Sequence, residues 1–459
     1  GKAKVRTQGR AALPANLARV NEAARRSRKT RFTALMHHSD VEALRRVFNR
    51  QRRNASAGVD GVSVDEFGVN REANLKDLCD RVHSGCYRPQ PVRRVYVPKA
   101  DGAQRPIGIP TLEDKIVQGA VAEVLSAIYE VDFLGFSYGF RPGRGPHQAL
   151  DALNAALIKR KINWVLDADV RRFFDSVDHE WLLRMVAHRI RAYFDNVRHD
   201  ILLKKVAERV NDDKVMRLLK LILKAGGKRG VPQGGVISPL LSNIYLNEVD
   251  KMLERANEVT RYGRFTYIEY ARFADDLVVL VDGFWKWEWL LKAAYKRLLE
   301  EFEKLDVQMN EEKTRIVDLS RDETFSFLGF DYRRVKTRRG VWGVRVTPRM
   351  KARTSLLQEL KEVFRRHQSQ PVDRVIYLIN PILRGWVNYF RVGNSSECFG
   401  YIKDWVEKKI RRHLMYARKR RGFGWNRWSR AWFYDTLGLF NDYGVRHYRP
   451  ESAARPIGP

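Results

Sequence analysis

The stretch that most constrains this chain is FTYIEYARFADDLVVLV, Phe265 to Val281, in which two adjacent carboxylates, Asp275 and Asp276, interrupt two apolar runs. Both runs are rich in β-branched and aromatic residues, so the local expectation is a β-hairpin with the acidic pair at its turn. Asp is also an ordinary turn residue, so the pair alone does not separate chemistry from a simple turn. Neighbouring negative charges on an apolar ribbon repel each other, and a divalent cation is their natural counter-charge. A second acidic strand end lies upstream. In NWVLDADVRRFFDSVDH the apolar strand Trp164 to Leu166 leads to Asp167 and Asp169, followed by Phe173 and Phe174. A strand-borne Asp together with an Asp-Asp hairpin is what a two-metal phosphoryl-transfer site requires, with hard cations about 3.5 to 4 Å apart.

The charge balance names the class of partner. Among 459 residues, 86 Lys and Arg face 54 Asp and Glu, a net charge of +32, on a chain apolar enough to fold. Such a surplus points to a polyanion, most simply nucleic acid. No run reaches the length of a membrane span, which leaves a basic membrane-surface protein as a weak rival and no membrane among the partners. Cys79, Cys86 and Cys398 are too few and too scattered for a disulfide framework or a zinc knuckle, and the ten His show no metal-ligand spacing. With no recognisable signal peptide, the expectation is a cytoplasmic protein with reduced thiols.

Along the chain, residues 1 to 50 are densely basic, with helical apolar spacing at Leu35, Val41, Leu44, Val47 and Phe48. Gly58 and Gly61 mark a loop before a helix starting near Val64. Two short strands, Val92 to Val97 and Arg105 to Ile109, are joined at Asp101-Gly102, and the flanking Lys99 and Arg105 suit either a triphosphate or plain solvation. A helix opens at Thr111 or Glu113. SYGFRPGRGPHQAL, with Arg141 and Arg144 among glycines and prolines, suits an anion-contacting loop. Asp178 caps a helix through Ile190, and residues 191–228 read as largely helical. GVPQGGVISPLLSNIYL reads as a tight glycine loop entering a helix. A periodic helix spans residues 285–305, a strand carries Lys313, and a hairpin spans Phe325 to Val346. After Pro348 come three helices, near 349–367, 372–391 and 396–420, and then RKRRGFGWNRWSRAW. Its Arg and Lys, interleaved with Trp425, Trp428 and Trp432, suit phosphate contact with base stacking.

In this order the blocks RPIGIPT, SYGFRPGRG, DADVRRFFD, PQGGVISPLLSNIYL, RFADD, EEKTRIV, FLGF and NPILRGWVNYF resemble the reverse transcriptases of bacterial group II introns, which double as splicing maturases. The resemblance runs from about Ala57 to Arg420. It implies an α+β right-hand polymerase fold, in which fingers and a palm with a small mostly antiparallel sheet precede a helical thumb. The bounds expected are a basic N-terminal extension (1–56), fingers (57–164), palm with interleaved fingers segments (165–346), thumb or maturase domain (347–421) and a short basic aromatic tail (422–459).

The resemblance also assigns roles. Asp169, Asp275 and Asp276 match the catalytic carboxylates, which hold two Mg2+ with the Val170 carbonyl, and Lys313 matches the lysine that protonates departing pyrophosphate. Lys99 and Arg105 match triphosphate contacts, Gln233 lies beside the incoming base pair, and Phe174 matches the aromatic that blocks a 2′-hydroxyl. Phe327, Leu328 and Gly329 fall in the primer grip; Phe273, Arg141 and Arg144 are further primer and template candidates. The partners implied are group II intron RNA or another RNA template, a DNA primer or target, and deoxynucleoside triphosphates. Many members carry Tyr where Phe273 stands, a change that keeps the ring. No Cys-rich or His-Asn-His block follows the thumb, so the expectation is an endonuclease-lacking type whose primer comes from elsewhere. Two rivals stay open on sequence: an intron-independent relative serving DNA repair or CRISPR adaptation, and a splicing factor without polymerase activity.

Overall fold

The computed structural model describes residues 14–98, 104–159, 162–169, 197–227, 230–231, 234–260, 268–282, 288–307, 314–336, 340 and 342–446. By internal packing the chain divides into two units, Gly1–Ala149 with Leu166–Ile316, and Leu150–Val165 with Val317–Pro459. The boundary at 316/317 falls inside the span expected as palm.

The first unit opens with helices α1 (Ala15–Arg26), α2 (Val41–Asn49), α3 (Val64–Val69) and α4 (Arg71–Ser84). The apolar spacing of Leu35 with Val41 is not one helix. Asp40 accepts from the Ala43 amide and starts α2, while Leu35 lies in a separate segment held by Asp212, whose Oδ2 accepts from the Leu35 and Met36 amides at 2.7 and 3.1 Å. That segment is further tied down by Phe32, whose amide donates to the Arg209 carbonyl at 2.8 Å, and by Thr30, whose carbonyl accepts from Arg209 Nε at 3.1 Å. Ser63 forms a capping box with Glu66 at the start of α3, at the Val64 start that the sequence spacing gives.

Next come the antiparallel pair β1 (Arg93–Pro98) and β2 (Gln104–Ile109), with Val97 opposite Arg105. Helix α5 (Leu112–Tyr129) follows, with the Thr111 hydroxyl accepting from the Asp114 amide. It is buried on nearly every face, as a helix with so little polar surface must be. Helix α6 (Pro146–Lys159), most of it counted with the second unit, leads into β3 (Ile162–Asp169), within which the division at 165/166 falls. The helix expected from Asp178 to Ile190 lies outside the described residues. Helices α7 (His199–Ala207), α8 (Asp213–Gly226) and α9 (Ser238–Thr260) precede the hairpin β4 (Ile268–Phe273) and β5 (Asp276–Asp282). Helix α10 (Glu288–Lys304) and β6 (Arg315–Asp318) follow. The sheet order is β4-β5-β3-β6, so the hairpin neighbours the strand that ends at Asp169.

The second unit holds an antiparallel sheet, β7 (Thr324–Phe327), β8 (Phe330–Lys336) and β9 (Trp342–Pro348), where a single hairpin was expected. Phe325 stacks on Tyr332 at 4.9 Å between centroids, and Phe330 meets Phe390 at 5.1 Å. Helices α11 (Met350–Arg366), α12 (Val372–Phe390) and α13 (Ser396–Ala417) lie where the spacing after Pro348 puts them. Each turns an apolar stripe inward, Leu356, Leu360 and Phe364 on α11 and Phe399, Ile402, Val406 and Ile410 on α13. Among the described residues no helix is long and apolar enough to cross a membrane.

Candidate active site

The β4–β5 hairpin closes with Phe273 opposite Asp276, which leaves Ala274 and Asp275 as a two-residue turn. Ala274 has φ of +58°, a left-handed conformation that costs an L-residue about 1 kcal/mol or more and persists only where the surroundings enforce it. Asp275 is therefore in the turn itself and Asp276 is the exposed first residue of β5. Asp169 is the last residue of β3, the strand beside β5. In backbone terms the three carboxylate positions thus sit at strand ends of one sheet, and on β3 Asp167 pairs with Arg315 at 3.7 Å.

Beneath the turn lies a buried polar cluster. Arg272 is 1% exposed. Its Nε and Nη2 donate to the two carboxylate oxygens of Asp250 at 2.8 and 2.5 Å, Nη2 donates to Ser137 Oγ at 2.8 Å, and Nη1 donates to Asn243 Oδ1 at 3.1 Å and to the Ala274 carbonyl at 2.8 Å. All five guanidinium N–H groups are used. Asn243 also donates to the Gly139 carbonyl at 2.8 Å, and Gly139 lies so close to Ala274 that a Cβ there would overlap the Ala274 amide. Sequence reasoning passed over Arg272, Asp250, Asn243 and Ser137; the available signal was an arginine next to the acidic turn in a largely apolar strand. It also passed over Phe140, which is 55% exposed at φ of +57° with its ring 6.1 Å from that of Phe273.

Burial, then the neighbouring Asp250 carboxylate, pushes the Tyr270 phenol well above its ordinary value, so it remains a neutral donor to the Asp250 carbonyl at 3.2 Å.

Arg141 differs from expectation. It is 3% exposed and directed inward, bonded to Glu130 at 3.1 Å and to the carbonyls of Leu134, Ser137 and Phe133 at 2.6, 2.8 and 3.4 Å. In the irregular segment 133–138 Arg141 thus supplies donors to three backbone carbonyls. It therefore has no free face for a phosphate. Arg144 is half-buried over the Tyr138 ring at 5.5 Å. Arg105 lies on β2, and Gly234 meets that strand, since a Cβ on it would stand 2.6 Å from the Gly108 carbonyl oxygen. Lys99, Val170, Phe174, Gln233 and Lys313 lie outside the described residues.

In the second unit FLGF forms the β7–β8 turn, with Leu328 and Gly329 both at positive φ, 48° and 80°. Phe327 is buried and faces the core, which leaves Leu328 and Gly329 as the accessible part of that motif. The Leu328 carbonyl accepts from the Tyr389 hydroxyl at 2.9 Å, and that of Gly329 from the Arg349 amide at 2.9 Å.

The segment after α13 is folded against that helix. Glu407, 1% exposed, accepts from Arg430 Nε at 2.8 Å and from the Tyr434 hydroxyl at 2.7 Å. Arg411 lies between the Trp425 and Phe433 rings, 4.6 and 4.7 Å from their centroids. Trp428, expected to stack on bases, is buried with Gly424 against it and Arg418 over its ring. Trp425 is half exposed and Trp432 partly so.

Residues 97–332 match the reverse transcriptase (RNA-dependent DNA polymerase) family, and residues 353–432 match the group II intron maturase-specific domain. The chain belongs to the reverse transcriptase family. The chain is 35% identical to Protein YkfC of Escherichia coli over 64% of its own length and 81% of that protein. It is 30% identical to the group II intron-encoded protein LtrA of Lactococcus lactis over 61% of its length, and spans about half (53%) of LtrA. A putative COX1/OXI3 intron 2 protein of Saccharomyces cerevisiae is 29% identical over half of the chain and a quarter of that protein. This reverse transcriptase thus joins a polymerase of the right-hand fold to a maturase-specific domain, and dependence on a divalent metal is general to the family. The maturase match extends to residue 432, past the expected thumb boundary at 421.

Proposed function

We propose that this reverse transcriptase binds the RNA of a group II intron, assists its splicing and copies RNA into DNA from deoxynucleoside triphosphates in the cytosol, during retrotransposition. The observation that carries the reading is the Asp275-Asp276 pair at a strained hairpin turn beside the strand ending in Asp169, within the stretch matched to reverse transcriptases. The domain bounds given above, from fingers to thumb, belong to the same reading.

Hard carboxylate oxygens suit hard cations, so Asp169, Asp275 and Asp276, with the Val170 carbonyl, would hold two Mg2+. Bound there, the ions would lower the pKa of the primer 3′-hydroxyl and neutralise charge developing on the triphosphate. The protein's own part is positioning. Lys99 and Arg105 bind the triphosphate oxygens, Arg as a fork and Lys as a point charge. Gln233 and Phe273 orient the base pair and primer end, Phe174 excludes a 2′-hydroxyl, and Leu328 with Gly329 steadies the primer strand. Lys313 donates a proton to the departing pyrophosphate. The net charge of +32 supports RNA as a partner, bound chiefly through phosphates.

The test is primer extension on an RNA template with Mg2+ and deoxynucleotides, wild type beside Asp275→Asn. Extension by the wild type alone, with RNA binding retained in the variant, supports the reading. Equal extension by both would remove Asp275 from the metal site, and no extension by either would leave a splicing role without polymerisation.

A further inference from the structure

The turn that carries the two carboxylates adopts a backbone conformation that alanine avoids, and something must hold it there. On one side of Ala274 lies the Gly139 backbone, packed against the amide. The Arg272 guanidinium also reaches the turn and donates to the Ala274 carbonyl at 2.8 Å. We infer that Arg272 is a positioning residue for the acidic pair: clamped on its far side by Asp250, Asn243 and Ser137, it holds the Ala274 carbonyl and so fixes the turn from which Asp275 and Asp276 extend. This rests on the reading of those two carboxylates as metal ligands.

Three features distinguish the clamp from an ordinary buried ion pair. First, pairing with Asp250 uses only Nε and one Nη2 hydrogen. The other three donors go to Ser137, Asn243 and the turn, so the charge pair anchors a fork aimed at the hairpin. Second, the residue bearing the fork is itself fixed, because the Arg272 amide donates to the Phe136 carbonyl at 3.0 Å and its carbonyl accepts from the Tyr138 amide at 2.9 Å. Third, Asn243 joins both walls of the turn, accepting from Arg272 and donating to Gly139. Lysine could neutralise Asp250 but, as a point charge with three donors, could not reproduce the planar five-donor pattern.

The experiment compares full-length wild type, Arg272→Lys and Arg272→Lys with Ala274→Gly. Mn2+ affinity is read by electron paramagnetic resonance on the primer–template complex, beside the Mg2+ requirement for extension, primer–template affinity and thermal unfolding. Arg272→Lys is expected to unfold cooperatively and to bind primer–template as the wild type does, yet to need about tenfold or more metal, the scale of losing a residue that orients a ligand. Adding Ala274→Gly should bring the requirement back towards wild type, since glycine takes positive φ unaided. Unchanged Mn2+ affinity and Mg2+ requirement in Arg272→Lys would overturn the inference, as would a metal defect that Ala274→Gly leaves untouched. Should Arg272→Lys fail to fold, Asn243→Ala, which spares the Asp250 pair, is read by the same outcomes. Asp275→Asn separates the two levels: wild-type metal affinity there sinks the carboxylate reading itself, whereas a defect there with none in Arg272→Lys sinks only the clamp.

Discussion

Gly139 and Ala274 lie backbone against backbone, with no room between them for even a methyl group. Replacing Gly139 by Ala should therefore push the loop or the hairpin turn aside. Overpacking of this kind costs about 1–3 kcal/mol. The expected result is a lower melting temperature with a loss of DNA synthesis larger than the stability loss explains, measured by thermal unfolding and primer extension on one preparation. A Gly139→Ala protein with wild-type melting and wild-type extension would mean that the contact places no demand on the turn.

The tryptophans of the C-terminal segment divide by exposure. Trp428 is buried beneath Gly424 and Arg418, so Trp428→Ala should cost about 3–5 kcal/mol of stability, as for other buried aromatic truncations. Trp425 is half exposed. Trp425→Ala, which removes one of the two rings on Arg411, should cost less stability than Trp428→Ala and weaken RNA binding by about 1–3 kcal/mol if it stacks on an unpaired base. Denaturant titration and filter binding of the two variants make the comparison, and loss of RNA affinity confined to Trp428→Ala would reverse these assignments.

Asp212 ties the 30–36 segment to the start of α8. Burial works to raise its pKa, but the amides of Leu35, Val215, Met36 and Lys214 together outweigh burial and hold the carboxyl below its ordinary value. A carboxylate so depressed contributes stability that is fully present above its unfolded pKa, about 4, and is lost as pH falls through the lower folded value. The stability gap between wild type and Asp212→Ala should be about 1–3 kcal/mol at neutral pH and should close under acid. A gap that stays constant down to strongly acidic pH would show that charge plays no part in this anchor.

Phe174 carries its assignment from family resemblance and lies outside the described residues. Phe174→Ala should raise ribonucleotide incorporation roughly tenfold or more relative to deoxynucleotide, the scale of removing one steric element from a pocket. Competition of the two nucleotides in single-step extension measures it. Unchanged sugar selectivity would remove Phe174 from the gate.

What could be read from sequence follows the range of the interactions involved. The β4–β5 hairpin is written locally, in two largely apolar runs flanking an acidic pair, and it forms with Asp275 in the turn and Asp276 opening β5. Helix α5 is equally local, with Thr111 as its cap. Arg141 misled because an arginine among glycines looks the same whether it reaches a phosphate or turns back to cap carbonyls at 133, 134 and 137. Arg272 was silent for the opposite reason. Its partner Asp250 lies 22 residues earlier on α9 and Ser137 lies 135 residues earlier, distances at which spacing carries no signal. Trp428 likewise reads as part of a basic aromatic run until it is found buried, with Gly424 and Arg418 against its ring.

The fold-back of the last described segment on α13 bears on where this protein can be shortened. A truncation at residue 421 would look harmless, since it removes what reads as a basic tail. It would also strip Arg430 and Tyr434 from Glu407 and uncover Arg411 between two missing rings. The helix would then carry an orphaned carboxylate and an unshielded guanidinium on a face built to be covered. A minimal maturase fragment should accordingly keep the chain through at least Tyr443, whose ring packs against Phe399 and Phe440.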